Sequence, residues 1–361
     1  MGTARPTALL DYVRFAKIVH QCGHFSVNGG LLVQPSDVPE QLSHLIMLYA
    51  ALRASDKCLM ATAYPEHRME EIMEMAAILA GGKDVLERSH RILTLVSSTS
   101  PMGLDETAMG SILVSARYNQ PLIISPGSAA SSTSPIDLEK NVAFATAEAL
   151  AAIVVAQMAR SGIPVILSLQ CFGADMKTAN LPTGFSDCDL WAKYTAKLAR
   201  KLNLPSSCGG SYTGAHSISP QKSYENMLTA CENGVDLIVH AAGAMENHST
   251  VSYEKWIMDV EIMEMVNNCL TDIEVRDITL NLDLGREVEP VRHFLASSTS
   301  LNKCRNIAWT TGNGGNGNID RGMALDLCYR SISTQLRQML MEYRPPDLDA
   351  DVLKRLNRFM S

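Results

Sequence analysis

Short apolar runs that end in small or turn-forming residues recur along this chain, and helix-patterned segments separate most of them. The runs are Ser26–Val33, Cys58–Ala63, Arg91–Val96, Pro121–Ser125, Pro164–Leu169, Leu204–Cys208, Val235–His240 and Ile273–Val275, with His293–Ala296 competing for the eighth place. Each suits a buried strand and is too short for a globular helix. Between them, Glu40–Ala54 carries Leu42, Leu45, Ile46, Tyr49 and Leu52 at the spacing of one buried helix face. Glu66–Ala80 repeats the pattern with Met69, Ile72, Met73 and Ala76. Asp137–Ser161 reads as a long Ala-rich helix, and Asp187–Leu202, Gln221–Asn233 and Ser252–Leu270 follow. Strands that alternate with crossover helices are mostly parallel, because only a crossover returns the chain to the same strand direction. A closed (β/α)8 TIM barrel is the economical α/β solution, and an open doubly wound sheet is the alternative.

The punctuation agrees with this alternation. Gly81-Gly82, Gly162, Asn203 and Gly234 stand where helices should stop, as residues that tolerate a left-handed cap. Gln120-Pro121, Ile163-Pro164 and Leu204-Pro205 open strands, where a missing amide costs least. After the Gly-rich stretch Gly312–Asn318, the segments Asp320–Tyr343 and Asp347–Met360 read as helices. The expected organisation is a barrel over 1–310 and a helical extension over 311–361.

Composition removes several function classes. The chain has 361 residues, of which 46% are hydrophobic, enough for a large core, and a net charge of −7. That mild acidity, without a Lys/Arg run, argues against nucleic acid as a partner. No leader pattern opens the chain, and the most apolar segment, Ala147–Ala159, is too short to span a bilayer. A soluble cytoplasmic protein with no membrane partner is expected. Nine cysteines without CxxC pairs suggest reduced, mostly buried thiols. His20 and Cys22 have the spacing of some zinc methyltransferases, but no third ligand is evident, so no metal is expected.

In a barrel the working residues follow the carboxyl ends of the strands. That rule selects Tyr64 and His67, Ser97–Met102, Ser125–Thr133, Gln170–Asp175, Gly209–His216 and His240–Asn247. Hydroxyls, glycines and aromatics dominate the set. Neither a GxGxxG turn after a strand, a P-loop, an HExxH helix nor a GxSxG elbow occurs.

Several segments carry a resemblance. Ser131–Glu148 has a small-residue loop, a Pro-Ile turn and a following helix. Gly209, Gly210, Ala215, Gln221, Tyr224 and Glu225 form a second block, and His240–Gly243 with Ser252, Glu254, Lys255, Asp259 and Glu261 a third. Thr299, Arg305, Trp309 and Arg321 complete the order. In this order the chain resembles the trimethylamine methyltransferase superfamily of corrinoid-dependent enzymes. It departs from the family at Gly214-Ala215-His216, where many members read Asp-Ala-Lys, and by a shorter stretch before the first strand. Pyrrolysine is absent, so the resemblance is to the non-pyrrolysine branch, whose members act on quaternary amines such as betaines.

That resemblance implies methyl transfer from a methylated amine to the Co(I) of a cobalamin-type corrinoid. The corrinoid is carried by a partner corrinoid-binding protein, and this chain binds no cofactor of its own. A homo-oligomer is compatible with the family. A quaternary ammonium is held by aromatic faces, which points to Tyr64, Phe172 and Tyr212. A carboxylate arm wants donors, for which His216, His240 and Asn247 are candidates. Asp175 could face the ammonium charge. Gln221 and Glu225, in the first turn after the loop, are expected to orient the substrate or a neighbouring donor. For each of these residues packing or capping is the competing assignment. A zinc-dependent methyltransferase or lyase barrel, and a silent barrel that binds an amine or a corrinoid protein, are the alternative functions.

Overall fold

The structure, a computed structural model, describes residues 4–30, 32–172, 186–211, 218–271, 293 and 321–360. Helix α1 (Leu9–Gln21) precedes strand β1 (Val27–Asn28). Then come α2 (Ser43–Ala54), β2 (Cys58–Thr62), α3 (Glu66–Ala80), α4 (Lys83–Arg88), β3 (Ile92–Val96) and α5 (Glu106–Arg117). Strands β4 (Leu122–Ile124) and β5 (Gly127–Ala129) lead into α6 (Leu138–Ala159), and β6 (Val165–Leu167) and β7 (Gln170–Phe172) precede α7 (Ser186–Lys201). Next are β8 (Ser207–Gly209), α8 (Pro220–Glu232) and β9 (Leu237–Val239). A hairpin of β10 (Ala244–Met245) and β11 (Thr250–Val251) leads to α9 (Tyr253–Leu270). Helices α10 (Arg321–Glu342) and α11 (Ala350–Phe359) close the described chain.

The strands β1-β2-β3-β4-β6 form one parallel sheet in chain order. A parallel bridge between Leu167 and Ser206 carries the order on to the parallel pair β8-β9. Chain-order strands joined by crossover helices are the order of a (β/α)8 barrel. The candidates for the eighth strand fall on residues 273–275 and 293–296. Apart from His293, they lie outside the described residues.

Closure is visible in the packing. Val27, Cys58, Met60, Leu93, Leu95, Ile123, Ile166, Leu237 and Val239 form one apolar cluster. Its members come from β1, β2, β3, β4, β6 and β9. They alternate along each strand, as inward-facing residues must. In an open sheet β1 and β9 would be far apart; here they meet in one core. The doubly wound alternative is therefore set aside.

The outer faces of the strands bury against the helices. Ala145, Ala149, Ala152 and Ala156 of α6 pack with Ile124, Val165 and Leu167, and the small residues let this helix sit close to the sheet. Helix α6 has 22 residues and is long and apolar enough, by length and composition, to cross a membrane. The sequence reading of this segment as too short is corrected accordingly. Its alanine stripe and its place between β5 and β6 assign it to the barrel wall. Ile332, Leu336, Met339 and Leu340 of α10 join the core formed by α1, α2 and α3, so the C-terminal helices are part of the main core.

Predicted caps and strand starts have their expected geometry. Gly81, Gly162, Asn203 and Gly234 all have positive φ. The carbonyls of Pro121, Pro164 and Pro205 accept from the amides of Thr94, Leu122 and Leu167 at 3.0, 3.0 and 2.9 Å, so each proline joins the ladder as an acceptor only.

Candidate functional site

A cavity of about 330 Å3 lies between the β1–β2 and β9 walls and opens at the carboxyl ends of the strands. It is built from three stretches of chain. At the end of β1, the Asn28 side chain turns inward, donating to the Ala16 carbonyl at 2.8 Å and accepting from the Gly29 amide at 2.7 Å. Gly29 and Gly30 then turn with φ of +81° and +59°, and a Cβ on Gly30 would stand 2.4 Å from the Met60 carbonyl oxygen. Glycine is required there by both backbone angle and space.

Thr62, the last residue of β2, and Tyr64, just beyond it, line the second stretch. The Tyr64 backbone is pinned by Ser111 of α5, whose hydroxyl accepts from its amide at 3.0 Å and donates to its carbonyl at 2.9 Å. Behind Tyr64, the ring of buried His44 lies 5.4 Å away and is held by Glu71 at 2.7 Å. Burial pushes the His44 imidazole down, with Glu71 opposing the shift.

The third stretch is β9 with the loop that follows it. His240 and His248 both face the cavity, their rings 4.3 Å apart. Burial, then the neighbouring His248, lowers His240 to about 3, and burial lowers His248 as well. Both imidazoles are therefore neutral near neutrality. Phe25 and Trp256 stack at 5.4 Å and supply aromatic surface to the same cavity. Among the described residues no Asp, Glu, Lys or Arg lines it.

The predicted site residues divide. Tyr64 and His240 share the cavity. Gln221 and Glu225 do not line it: on α8, Gln221 donates to Glu225 at 2.9 Å and Lys222 does so at 3.2 Å. The Gln221 hydrogen bond, then Lys222, holds the Glu225 carboxyl below its usual range. Phe172 ends β7, and Asn247 sits in the short 3-10 turn Glu246–His248. Asp175, Tyr212 and His216 lie outside the described residues.

Phe25, Asn28, Gly29, Gly30, His248 and Trp256 line the cavity although sequence reasoning did not select them. The Gly29-Gly30 doublet inside the first apolar run, Ser26–Val33, was the available signal. Glu148, by contrast, acts beside the neighbouring loop. It accepts from Ser98 and Ser100 hydroxyls at 2.6 and 2.7 Å and from the Met102 amide at 2.7 Å, fixing the turn after β3. Around His20 and Cys22, and elsewhere among the described residues, no three His, Cys, Asp or Glu side chains converge to hold a metal.

Comparisons with known proteins address the family. The chain is 33% identical over 370 residues to the glycine betaine methyltransferase of Desulfitobacterium hafniense (strain Y51), covering 100% of this chain and 76% of the relative. It is 30% identical over 230 residues to trimethylamine methyltransferase MttB of D. hafniense (strain DSM 10664 / DCB-2), covering 63% of this chain and 46% of that protein. Among solved structures, a dihydropteroate synthase from Coxiella burnetii aligns at 13% identity and a TM-score of 0.42, over 74% of this chain and 94% of that one. The carboxyl transferase domain of Rhizobium etli pyruvate carboxylase aligns at 16% identity and 0.39, over 72% and 44%. Likenesses so slight carry no argument. The profile of the trimethylamine methyltransferase (MTTB) family matches residues 2–361; with a full-length relative at 33% identity and no pyrrolysine in its sequence, the chain belongs to that family, in its non-pyrrolysine branch.

Proposed function

We propose that this protein transfers a methyl group from a small quaternary (or tertiary) methylated amine, of the glycine betaine type, to a corrinoid carried by a partner protein. The observation that carries the reading is the cavity: aromatic, free of charged side chains among the described residues, and open at the carboxyl ends of the strands. Its volume of about 330 Å3 suits a small ligand. Kinship with a glycine betaine methyltransferase supports the substrate class.

The corrinoid supplies Co(I), whose electron pair forms the new bond to the methyl carbon while the C–N pair stays on nitrogen. From a quaternary substrate the leaving group is a neutral tertiary amine, so no general acid is needed. What remains for the protein is to bind and aim the substrate. Phe25, Tyr64 and Trp256 offer ring faces to the ammonium group. Neutral His240 and His248 place polar edges beside it without repelling a cation. Small residues stand at the strand ends, Ser97, Ser125 and Ser168 just after β3, β4 and β6 and Gly209 as the last residue of β8, which suits approach of a bulky acceptor to the barrel mouth. Phe172, Asp175, Tyr212, His216 and Asn247 belong to the same proposal by their places after strands. Gln221 and Glu225 enter it as groups beside the loop and outside the cavity. A cytoplasmic location goes with the same reading.

The test mixes the protein with a Co(I) corrinoid protein and a panel of methylated amines while the cobalt spectrum is followed. Methylated cobalt with at least one quaternary amine is expected. Amine binding without cobalt methylation, for every amine, would replace the reading with the silent binding barrel.

A further inference from the structure

Lys255 and Asp259 form an ion pair on α9 with Nζ–Oδ2 at 2.6 Å, and their side chains are 0% and 1% exposed. Each remaining bond leaves the helix for a different segment. Lys255 donates to the Ser211 carbonyl, just after β8, at 2.5 Å and to the Ser223 hydroxyl of α8 at 2.9 Å. With Asp259 these acceptors use all three ammonium hydrogens. Asp259 also accepts from the Gly243 amide, in the loop after β9, at 2.8 Å. The two loops are joined directly as well. Ser211 donates its hydroxyl to the Ala241 carbonyl at 2.6 Å, and a Cβ on Gly210 would lie 2.8 Å from Ala241 Cα.

Stability alone does not explain this arrangement. A buried ion pair loses so much hydration that well-packed apolar replacements are often neutral or stabilising. What such replacements could not do is hold a carbonyl, a hydroxyl and an amide of three segments at fixed separations. The segment held by Asp259 continues the cavity wall, since His240, Ala241, Ala242 and Trp256 all line the cavity.

We propose that Lys255 and Asp259 are positioning residues, whose buried pair sets the spacing of the loops after β8 and β9 and so the shape of the amine cavity. The kinetic part of this proposal rests on the methyl-transfer reading; the structural part does not. The experiment compares the wild-type chain with Asp259→Asn and with the double variant Lys255→Met/Asp259→Leu. It reads thermal midpoint, amide hydrogen exchange at Gly243, and KM and kcat for the preferred amine with the corrinoid protein. The double variant is expected to keep its thermal midpoint, to exchange Gly243 at least tenfold faster, and to raise KM at least tenfold with a smaller change in kcat. Asp259→Asn keeps an oxygen for the Gly243 amide but leaves the buried Lys255 charge without its counter-ion, so its thermal midpoint should drop below both others while its Gly243 exchange and KM fall between them. Should the double variant not fold, Asp259→Asn decides by the same readings. Wild-type exchange and wild-type KM in a folded variant would overturn the proposal. If the wild-type protein methylates no corrinoid with any amine, the methyl-transfer reading fails, and Gly243 exchange alone decides whether the pair positions the loop.

Discussion

The two walls of the cavity are held by different forces. On the β1–β2 side the wall is a matter of shape. Gly29 and Gly30 lie against Leu59, Met60, Ala51 and Tyr12, with no room for a side chain on Gly30, and the large apolar core of α1, α2 and α3 stands behind them. On the β9 side the wall is a matter of charge and hydrogen bonding, through Lys255, Asp259, Ser211 and Gly243. Packing is short-ranged and indifferent to pH. Buried polar contacts depend on every partner being present and correctly protonated. The first wall should therefore fail by volume and the second by loss of a partner.

The largest expected effect is on the polar wall. Lys255→Met leaves the Asp259 carboxylate buried beside one amide donor, and losing one partner of a buried pair costs about 3–5 kcal/mol. Urea unfolding should show that loss, and Lys255→Met/Asp259→Leu should recover most of it. Equal midpoints for single and double variants would show that this wall, too, is held mainly by packing.

Gly30→Ala breaks the other wall. Its backbone angle of +59° and the 2.4 Å approach to the Met60 carbonyl both oppose a methyl group. Strain and overpacking together suggest a loss of roughly 2–4 kcal/mol. The loss should be the same at pH 6 and pH 8, since no titrating group is involved. A pH-dependent loss would blur the contrast between the walls.

Acid sharpens the contrast further. His240 titrates at about 3 in the fold, against 6.5 when unperturbed. Between these values the unfolded chain binds more protons, so stability falls as pH drops from 6.5 toward 3. This group contributes a slope of up to about 1.4 kcal/mol per pH unit. His240→Asn, with a residue that tolerates the positive φ at this site, should flatten the acid limb of a stability–pH curve. An unchanged limb would remove His240 as its source.

The sequence revealed the barrel because the barrel writes itself in periodicity. The predicted α3 over Glu66–Ala80 agrees with the structure at both ends, and four predicted C-cap positions have positive φ. Helices α1 and α5 were not foreseen, because polar groups interrupt their buried faces. In α1, Asp11 is buried by pairing with Arg5 at 2.8 Å. In α5, Ser111 is buried by bonding the Tyr64 backbone, and Ser115 lies beside Thr94. The site was legible only in part. Lys255 and Asp259 have the i,i+4 spacing of an ordinary surface pair, and nothing local distinguishes them from one. Gln221 and Glu225 share that spacing and turn out to bond each other. Pairing inside a helix is written in spacing; which face is covered depends on strands far away in the chain.

The smallest expected effect tests whether the shape-held wall also recognises charge. Tyr64 offers its ring to the cavity from a backbone fixed by Ser111. If a quaternary ammonium rests on that ring, Tyr64→Phe should leave KM for the amine within about twofold, because the face is kept. Tyr64→Leu keeps an apolar side chain and removes the ring, at a cost of about 0.5–2 kcal/mol. That corresponds to a KM roughly 2- to 30-fold higher, with kcat less affected since the contact forms before transfer. The neutral isostere of the substrate, with carbon in place of the charged nitrogen, should bind both variants alike. Equal losses for the charged and neutral ligands would mean that Tyr64 contributes shape alone, as the rest of its wall does.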